Sequence, residues 1–268
     1  MAAFDPPLTG PEVAQAFAGM TIGAPLVPGG QGALFRTTQD GVEAVLKIYG
    51  AGTEVVRVER EIKQLKQISS PYIVKLLSHG AVRLRGAEHQ FTLTEFVGGA
   101  DLGNSAPMSD AEVRRLLHDV AIGIEVLWSK RLVHRDIKPG NVLRRAAGGF
   151  VIIDLGIAKH LEEDTVTRAN CWIGTRGYMS PEQAATRRGL TFRSDLFALG
   201  VLAYRAGTGT HPFLGKQELI GRVAPRPAHE ISSVTQTTSG LIHKLLQIDP
   251  MKRPRCCSEI YGVCKPEP

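Results

Sequence analysis

The feature of this sequence that most constrains its fold is a change in hydrophobic pattern about a third of the way along the chain. Over residues 20–49 short apolar runs alternate with turn signals such as Asp40-Gly41, which predicts three antiparallel strands. Residues 53–68 have a helical apolar period, and two more strands are predicted near 74–78 and 90–96. The rest of the chain is mostly helical in pattern. A sheet-rich first third before a helical remainder predicts an α+β fold with two lobes.

Two capping boxes indicate where helices begin. Thr9 and Glu12 predict a short helix that ends near residue 18, and Ser109 and Glu112 predict a long helix that ends near residue 129. The runs 141–143 and 150–153 flank a Gly148-Gly149 turn and predict a small hairpin. The expected organisation has three parts: an N-terminal extension with a short helix at 1–19, a first lobe at 20–97, and a second lobe at 98–268. The connector is expected at about 95–101, beside a cleft.

Charge and cysteine content exclude several classes of protein. The 32 Lys and Arg residues exceed the 26 Asp and Glu residues by six, but the basic pairs are scattered, so we expect a solvated basic face and no specific nucleic-acid binding. The longest uncharged stretch, 13–35, is broken by glycines and prolines and does not predict a membrane helix. The four cysteines have no metal-site or disulfide spacing, which favours reduced thiols and a cytoplasmic location.

One stretch carries a far more specific signal. Residues 134–141 read His-Arg-Asp-Ile-Lys-Pro-Gly-Asn, and Asp154-Leu155-Gly156 follows thirteen residues after Asn141. These motifs resemble H-R-D-x-x-x-x-N and D-F-G of the eukaryotic-type (Hanks-type) serine/threonine protein kinases, most closely the compact bacterial members. The resemblance extends over about residues 21–260. It implies the two-lobed protein kinase fold, with a small β-rich N-lobe that has one main helix and a larger helical C-lobe.

The resemblance assigns roles to four of these residues. Asp136 is the catalytic aspartate expected to orient the substrate hydroxyl, and Lys138 is expected to meet the γ-phosphate of ATP. Asn141 and Asp154 offer hard oxygen ligands of the kind that Mg²⁺ prefers. ATP and Mg²⁺ are therefore the expected cofactors.

The resemblance also implies nucleotide-binding residues in the first lobe. Lys47, in Ala-Val-Leu-Lys, is the expected ligand of the α- and β-phosphates, with Glu61 as its ion-pair partner and Glu59 as the competing choice. An irregular glycine-rich loop is expected to approach the phosphates through Val27, Gly29, Gly30 and Gly32.

The adenosine site is expected around the connector. The backbone of Glu95 and Val97 would pair with adenine, and Thr94 would be the gatekeeper. The remaining expected contacts are the apolar side chains around the base and the carboxylate at the ribose: Leu34, Val45, Leu143 and Asp101. For each of the apolar residues alone, ordinary core packing is the competing interpretation.

The segment after Asp154 resembles the substrate-docking loop of protein kinases. Thr175 is expected to bond the catalytic aspartate and lysine, and Glu182 closes an A-P-E motif in which Ser180 replaces alanine. The expected structural residues are the Glu182 and Arg253 ion pair and Asp195. Thr165 and Thr167 are the expected regulatory phosphosites, with solvated surface threonines as the alternative.

These residues favour an ATP-dependent kinase that phosphorylates serine and threonine in protein substrates and autophosphorylates its activation segment, through a transient homodimer. A pseudokinase scaffold would have lost one of Lys47, Asp136, Asn141 or Asp154, and a small-molecule kinase would lack the docking loop. Two departures stand out: Leu155 replaces phenylalanine, and Gly140 replaces a glutamate that contacts basic substrates.

Overall fold

The computed structural model describes residues 4–26, 32–50, 55–103, 107–155, 159–160, 175–185 and 189–265, with backbone only at 55–57, 60–61 and 159–160. Contacts divide the chain into two compact units. The N-terminal unit comprises Met1–Ser69 and Val74–Gly98, and the C-terminal unit comprises Ser70–Ile73 and Gly99–Pro268.

A five-stranded antiparallel sheet forms the centre of the N-terminal unit, with the strand order β1-β2-β3-β5-β4. The elements are α1 (Gly10–Ala16), β1 (Met20–Pro25), β2 (Gly32–Gln39), β3 (Val42–Tyr49), α2 (Val55–Lys66), β4 (Leu76–Leu84) and β5 (Ala87–Glu95). The three strands and the helix predicted over residues 20–68 are confirmed.

The predicted bounds of β4 and β5 are wrong, because a turn between them has no obvious sequence signal. Arg85 and Gly86 have φ values of 49° and 80°, so both central residues of this hairpin are in the left-handed region. Asp40 and Gly41 have the same property at the β2–β3 turn, with φ of 51° and 77°. Asp-Gly is a strong hairpin signal, whereas arginine is not a usual residue at such a position. The β4–β5 hairpin is therefore longer than the sequence predicts.

The first helix is part of the core of the N-terminal unit. The Thr9 and Glu12 capping box forms as predicted. Val13 and Phe17 on this helix and at its end are buried in one cluster with Phe35, Leu46 and other sheet residues. Arg85 in the β4–β5 turn also pairs with Glu12. The extension thus covers one face of the sheet through apolar packing.

The C-terminal unit is mostly helical and includes short strands. Its helices are α3 (Asp110–Ser129), α4 (Pro181–Ala184), α5 (Phe192–Thr208), α6 (Gln236–Leu245) and α7 (Ser258–Tyr261). Its strands are β6 (Gly99–Asp101), β7 (Leu132–Val133), β8 (Val142–Arg145), β9 (Phe150–Ile152) and β10 (Lys159–His160). The predicted β8–β9 hairpin is confirmed, and β6 adds a third strand that the sequence pattern does not predict.

Two long helices, α3 and α5, contribute many of the buried residues of the C-terminal unit. The α3 helix starts at the predicted Ser109 cap, and its buried Asp119 accepts the backbone N–H of Phe150 at 2.9 Å, which anchors the β8–β9 hairpin. The α5 helix is buried along almost its whole length.

Within the part of the chain that the structure describes, no helix has both the length and the apolar character that a membrane span needs.

Candidate active site

The segment 134–136 lies between β7 and the turn Pro139–Asn141, where the carboxylate of Asp195 on α5 holds its backbone. The N–H groups of His134 and Arg135 each donate to this carboxylate at 2.8 Å. Burial raises the pKa of Asp195, and the two N–H donors and the positive charge of Arg135 oppose that shift. The predicted structural role of Asp195 is thus supported by two backbone contacts inside the C-terminal unit.

The Asp136 carboxylate accepts hydrogen bonds from three other residues. Thr175 donates its N–H and hydroxyl to Oδ1 at 3.0 and 2.8 Å. Lys138 Nζ lies 2.7 Å from Oδ2 and also donates to the Thr175 hydroxyl at 2.8 Å. Asn141 Nδ2 donates to Oδ2 at 3.0 Å. The structure therefore brings four of the predicted residues, Asp136, Lys138, Asn141 and Thr175, into one network.

This network fixes the orientation of the carboxylate before any substrate arrives. The Asp136 side chain keeps 12% of its surface exposed, so it remains open to an incoming group. The Asp136 N–H donates to His134 Nδ1 at 3.2 Å, so the proton of that imidazole resides on Nε2. A preorganised acceptor beside a lysine ammonium suits a reaction in which a hydroxyl is oriented and an anion is stabilised.

Asn141 and Asp154 are held next to one another by the backbone. The Ile153 N–H donates to the Asn141 carbonyl at 3.0 Å, which places Asp154 one residue beyond this contact. The Asn141 Nδ2 donates to the Asp136 carbonyl at 2.9 Å as well as to its carboxylate, so the amide oxygen is the atom of this side chain suited to a cation. Amide and carboxylate oxygens fit Mg²⁺, which takes few protein ligands when phosphates complete its shell.

The predicted nucleotide-binding residues of the N-terminal unit share one face of its sheet. Leu34 pairs with Lys47, and Val45 pairs with Thr94, in the β2–β3 and β3–β5 registers. Residues directly opposite one another project to the same side, and these four alternate with the buried core positions of their strands. Leu34, Val45, Lys47 and Thr94 therefore lie on the face opposite to the one that α1 covers.

Helix α2 packs on this same face. Tyr49, two residues after Lys47, forms a buried cluster with Val58 and Ile62 of α2, and Lys47 Nζ lies 4.7 Å from the centre of the Tyr49 ring. Glu59 and Glu61 lie on this helix, but the side chain of Glu61 is outside the described residues. The Lys47 and Glu61 pair stays a prediction.

The glycine-rich loop and the phosphosites fall largely outside the described residues, which exclude Val27, Gly29, Gly30, Thr165 and Thr167. Gly32 is described, and a Cβ at this position would lie 2.4 Å from the Ile48 carbonyl oxygen. Close approach of β2 to β3 therefore requires a glycine here, independently of any nucleotide.

At the connector, Glu95 donates its N–H to the Lys75 carbonyl at 2.9 Å, and Val97 is buried. Asp101 and Leu143 are direct partners in the β6–β8 register. The predicted ribose and adenine contacts of the C-terminal unit are thus neighbours on one small sheet. Asp101 also accepts the Gly103 N–H at 2.6 Å.

The Glu182 and Arg253 ion pair forms as two parallel hydrogen bonds. The guanidinium nitrogens lie 2.7 and 3.0 Å from the two carboxylate oxygens, and the Ser194 hydroxyl donates to Glu182 at 2.8 Å. Burial alone would raise the pKa of Glu182, but Arg253 outweighs it and holds the pKa below its ordinary value. Such geometry fits the predicted structural role.

Three further residues make hydrogen bonds around the site that the sequence pattern does not predict. Gln217 bridges two residues of the segment 175–180 by accepting the Gly177 N–H at 2.9 Å and donating to the Met179 carbonyl at 3.0 Å. Arg205 donates to the Tyr178 hydroxyl at 2.9 Å. Gln183 donates to the Arg135 carbonyl at 2.7 Å. No local pattern marks these contacts, because each joins residues more than 25 positions apart.

Comparison with known proteins agrees with this geometry. The family described as protein kinase domain matches residues 29–261, which is most of the chain. The chain therefore belongs to the protein kinase family. Its curated relatives place it more narrowly among the Hanks-type serine/threonine kinases, and most of these relatives are bacterial.

Three relatives illustrate the similarity. A serine/threonine-protein kinase of Myxococcus xanthus is 31% identical over 76% of this chain and 26% of its own length. A kinase of Corynebacterium glutamicum with the same description is 33% identical over 74% of this chain and 44% of its own. A probable serine/threonine-protein kinase of Lactococcus lactis is 32% identical over 60% and 26%. The chain thus spans less than half the length of these relatives.

Proposed function

We propose that this chain transfers the γ-phosphate of ATP to serine and threonine hydroxyls of protein substrates, with Mg²⁺ as cofactor. The observation that carries the proposal is the Asp136 carboxylate, held by Thr175, Lys138 and Asn141 within 3.0 Å. The kinase relatives support the same reaction class.

In the proposed reaction, Asp136 accepts a hydrogen bond from the substrate hydroxyl and aims its oxygen at the γ-phosphorus. A new oxygen–phosphorus bond forms as the bond from that phosphorus to the β,γ-bridging oxygen breaks, which leaves ADP. The hydroxyl proton passes to Asp136 and then to solvent. Lys138 stays near the transferring group, where its ammonium stabilises the phosphoryl oxygens. Mg²⁺ held by Asn141 and Asp154 would supply further charge neutralisation.

On the nucleotide side, Lys47 is proposed to bind the α- and β-phosphates, with Glu61 as its partner. The position of α2 on the Lys47 face of the sheet supports this assignment, because Glu61 belongs to that helix. Glu95 and Val97 are proposed to bind adenine through their backbone. Leu34, Val45 and Leu143 are proposed to contact the base, Thr94 is proposed as the gatekeeper, and Asp101 is proposed to bind the ribose.

A pseudokinase and a small-molecule kinase are the other candidates. Lys47, Asp136, Asn141 and Asp154 are all present, which disfavours the first. Thr175 bonded to Asp136 and Glu182 bonded to Arg253 support a built protein-substrate segment, which disfavours the second. The described cysteines Cys256, Cys257 and Cys264 are free thiols, which accords with a proposed cytoplasmic location.

The test is phosphate transfer from labelled ATP to a serine- and threonine-containing protein. Asp136→Asn is expected to lower the rate by about a hundredfold or more, because the acceptor for the hydroxyl proton is lost. Asp40→Asn is the matched control, since Asp40 lies in an exposed turn at φ 51°, which asparagine tolerates. Label on tyrosine, equal rates in both variants, or full activity in excess chelator would contradict the proposal.

Autophosphorylation at Thr165 and Thr167 is a part of the proposal that rests on sequence. A phosphothreonine adds about −1.5 to −2 charge and could pair with Arg135, which directly precedes Asp136. Mass spectrometry of the expressed chain should find phosphate at one of these threonines and none in Asp136→Asn. Unmodified threonines in an active preparation would show that the segment is ordered by other means.

A further inference from the structure

The peptide group between Arg135 and Asp136 is held in an uncommon conformation. Arg135 has a φ of 69°, in the left-handed region that residues other than glycine seldom adopt. Such a conformation persists only where surrounding contacts determine it, and it decides where the next side chain points. The next side chain is the Asp136 carboxylate.

Four polar groups of this backbone stretch have a specific partner. Asp195 accepts the N–H groups of His134 and Arg135, and His134 Nδ1 accepts the N–H of Asp136. The carbonyl of Arg135 accepts a hydrogen bond from Gln183 Nε2 at 2.7 Å. The peptide plane that leads into Asp136 is therefore held at its nitrogen by His134 and at its oxygen by Gln183.

Gln183 is itself held in place by the helix that carries it. Its own N–H donates to the hydroxyl of Ser180, the N-cap of α4, at 3.3 Å. Its neighbour Glu182 is fixed by the ion pair with Arg253. The Gln183 side-chain amide therefore projects from a fixed helix, α4, and binds a carbonyl 48 positions away in the sequence.

We propose that Gln183 is a positioning residue for the transfer reaction, which acts through the Arg135 carbonyl to set the orientation of Asp136. This inference rests on the proposed kinase activity. Loss of the donor leaves a part-buried carbonyl oxygen unsatisfied and lets the peptide plane rotate. Rotation moves the Asp136 carboxylate away from the line of attack, so turnover falls while substrate binding is unchanged.

The first test compares Gln183→Met with the wild type. Methionine has the same length but no donor, and we expect a decrease in kcat of about tenfold with KM for ATP and for the protein substrate unchanged within about twofold. Gln247→Met is the matched control, because Gln247 makes its side-chain contact with His243 at the exposed end of α6. Its kcat should equal that of the wild type. Thermal unfolding of each variant reports the folded fraction.

The second test is the pH profile of Gln183→Glu, which also serves if Gln183→Met does not fold. An ionised carboxylate facing the carbonyl oxygen cannot donate, so kcat at neutral pH should be well below that of the wild type. A protonated carboxyl can donate, and the ratio of variant to wild-type kcat should rise as the pH is lowered toward about 5.5.

The outcomes separate the two hypotheses. Wild-type kcat in Gln183→Met, or a ratio that stays constant with pH in Gln183→Glu, overturns the positioning role while the kinase activity stands. A folded wild-type chain that transfers no phosphate to serine or threonine refutes the proposed function, and the positioning role with it. A purely structural Gln183 would lower the melting temperature and leave kcat per folded molecule unchanged.

Discussion

Removal of the Arg253 guanidinium should strongly destabilise the C-terminal unit, because this one group satisfies several buried acceptors. The side chain is completely buried, at 0% exposure, against 9% for Glu182. Besides Glu182 it donates to three backbone carbonyls, those of Gln247, Arg193 and Ile248, at 2.8, 2.8 and 3.2 Å. Arg253→Met fills similar volume and removes all of these donors.

The loss in the free energy of unfolding comes from the buried polar groups that Arg253→Met leaves without a partner. Removing one member of a buried ion pair costs about 3–5 kcal/mol, because the other charge stays buried. Each carbonyl without a donor adds about 1–3 kcal/mol if it stays dry. A pocket of about 290 Å³ lined by Glu182 and Ile248 admits water, so we take the low end of both ranges. The expected loss in the free energy of unfolding is about 6 kcal/mol, with about 3 kcal/mol from the ion pair and about 1 kcal/mol from each of the three carbonyls.

The assay is urea unfolding followed by circular dichroism, with Glu182→Met and the double variant completing a cycle. In thermal unfolding, the melting temperature of Arg253→Met should fall by roughly 12–24 °C, at about 2–4 °C per kcal/mol for a chain of this size. The double variant leaves no buried charge and should lose about 2 kcal/mol less than the sum of the single losses. A loss below about 1.5 kcal/mol in Arg253→Met, or strict additivity in the cycle, would refute this reasoning.

The Glu182 and Arg253 ion pair also predicts part of the loss of stability at acidic pH. The folded pKa of Glu182 lies below the ordinary 4.5, so its contribution to stability is present above pH 4.5 and is lost as the pH falls through the folded pKa. The double variant with methionine at both positions lacks this contribution. Its stability should therefore decline less steeply than that of the wild type in this acidic range.

Three further outcomes are expected. Val13→Ala should lower the free energy of unfolding by about 2 kcal/mol, because Val13 is fully buried. The control Gln15→Ala, at an exposed position of the same helix, should change this free energy by less than about 0.5 kcal/mol. Equal effects would mean that α1 does not pack on the sheet. Burial lowers the pKa of His211 to about 4, so the unfolded chain binds more protons than the folded chain below pH 6.5 and stability falls from pH 6.5 toward 4. The melting temperature of His211→Gln should therefore depend less on pH over this range than that of the wild type. The same pH dependence in His211→Gln and in the exposed control His243→Gln would contradict the burial of His211. Thr175→Val should lower the rate of phosphate transfer by about tenfold or more, whereas Thr175→Ser should retain it. The reason is that only serine keeps the hydroxyl that bridges Lys138 and Asp136. Similar rates in both variants would show that the hydroxyl is dispensable.

Much of the local architecture could be predicted from the sequence because its determinants are local. The capping boxes at Thr9 and Ser109 contain both hydrogen-bond partners within four residues, and both form. The Asp40-Gly41 turn and the Gly148-Gly149 turn place residues suited to positive φ between apolar runs, and both hairpins form. The Arg85-Gly86 turn could not be predicted because its left-handed arginine owes its contacts to Glu12 and Pro6, more than 70 positions away.

The proposed catalytic residues could also be named from the sequence, since motifs at fixed spacing within 134–154 resemble those of protein kinases. Their geometry was decided by tertiary structure. Asp136 is oriented by Thr175, 39 positions away, and the N–H of the preceding Arg135 is held by Asp195, 60 positions further along the chain. Sequence could name Glu182 and Arg253 as partners, but only the folded chain shows the three carbonyls that share the guanidinium.

The local and the tertiary determinants differ in the range of the forces involved. Caps, turns and hydrophobic periods act between neighbours in the chain, so the sequence by itself determined most of the elements and which groups are proposed to react. The Gln183 contact with Arg135 and the Gln217 bridge depend on which elements meet after the core has packed. Their energies arise from desolvated polar groups that need a partner, and only the tertiary structure decides which partner is within reach.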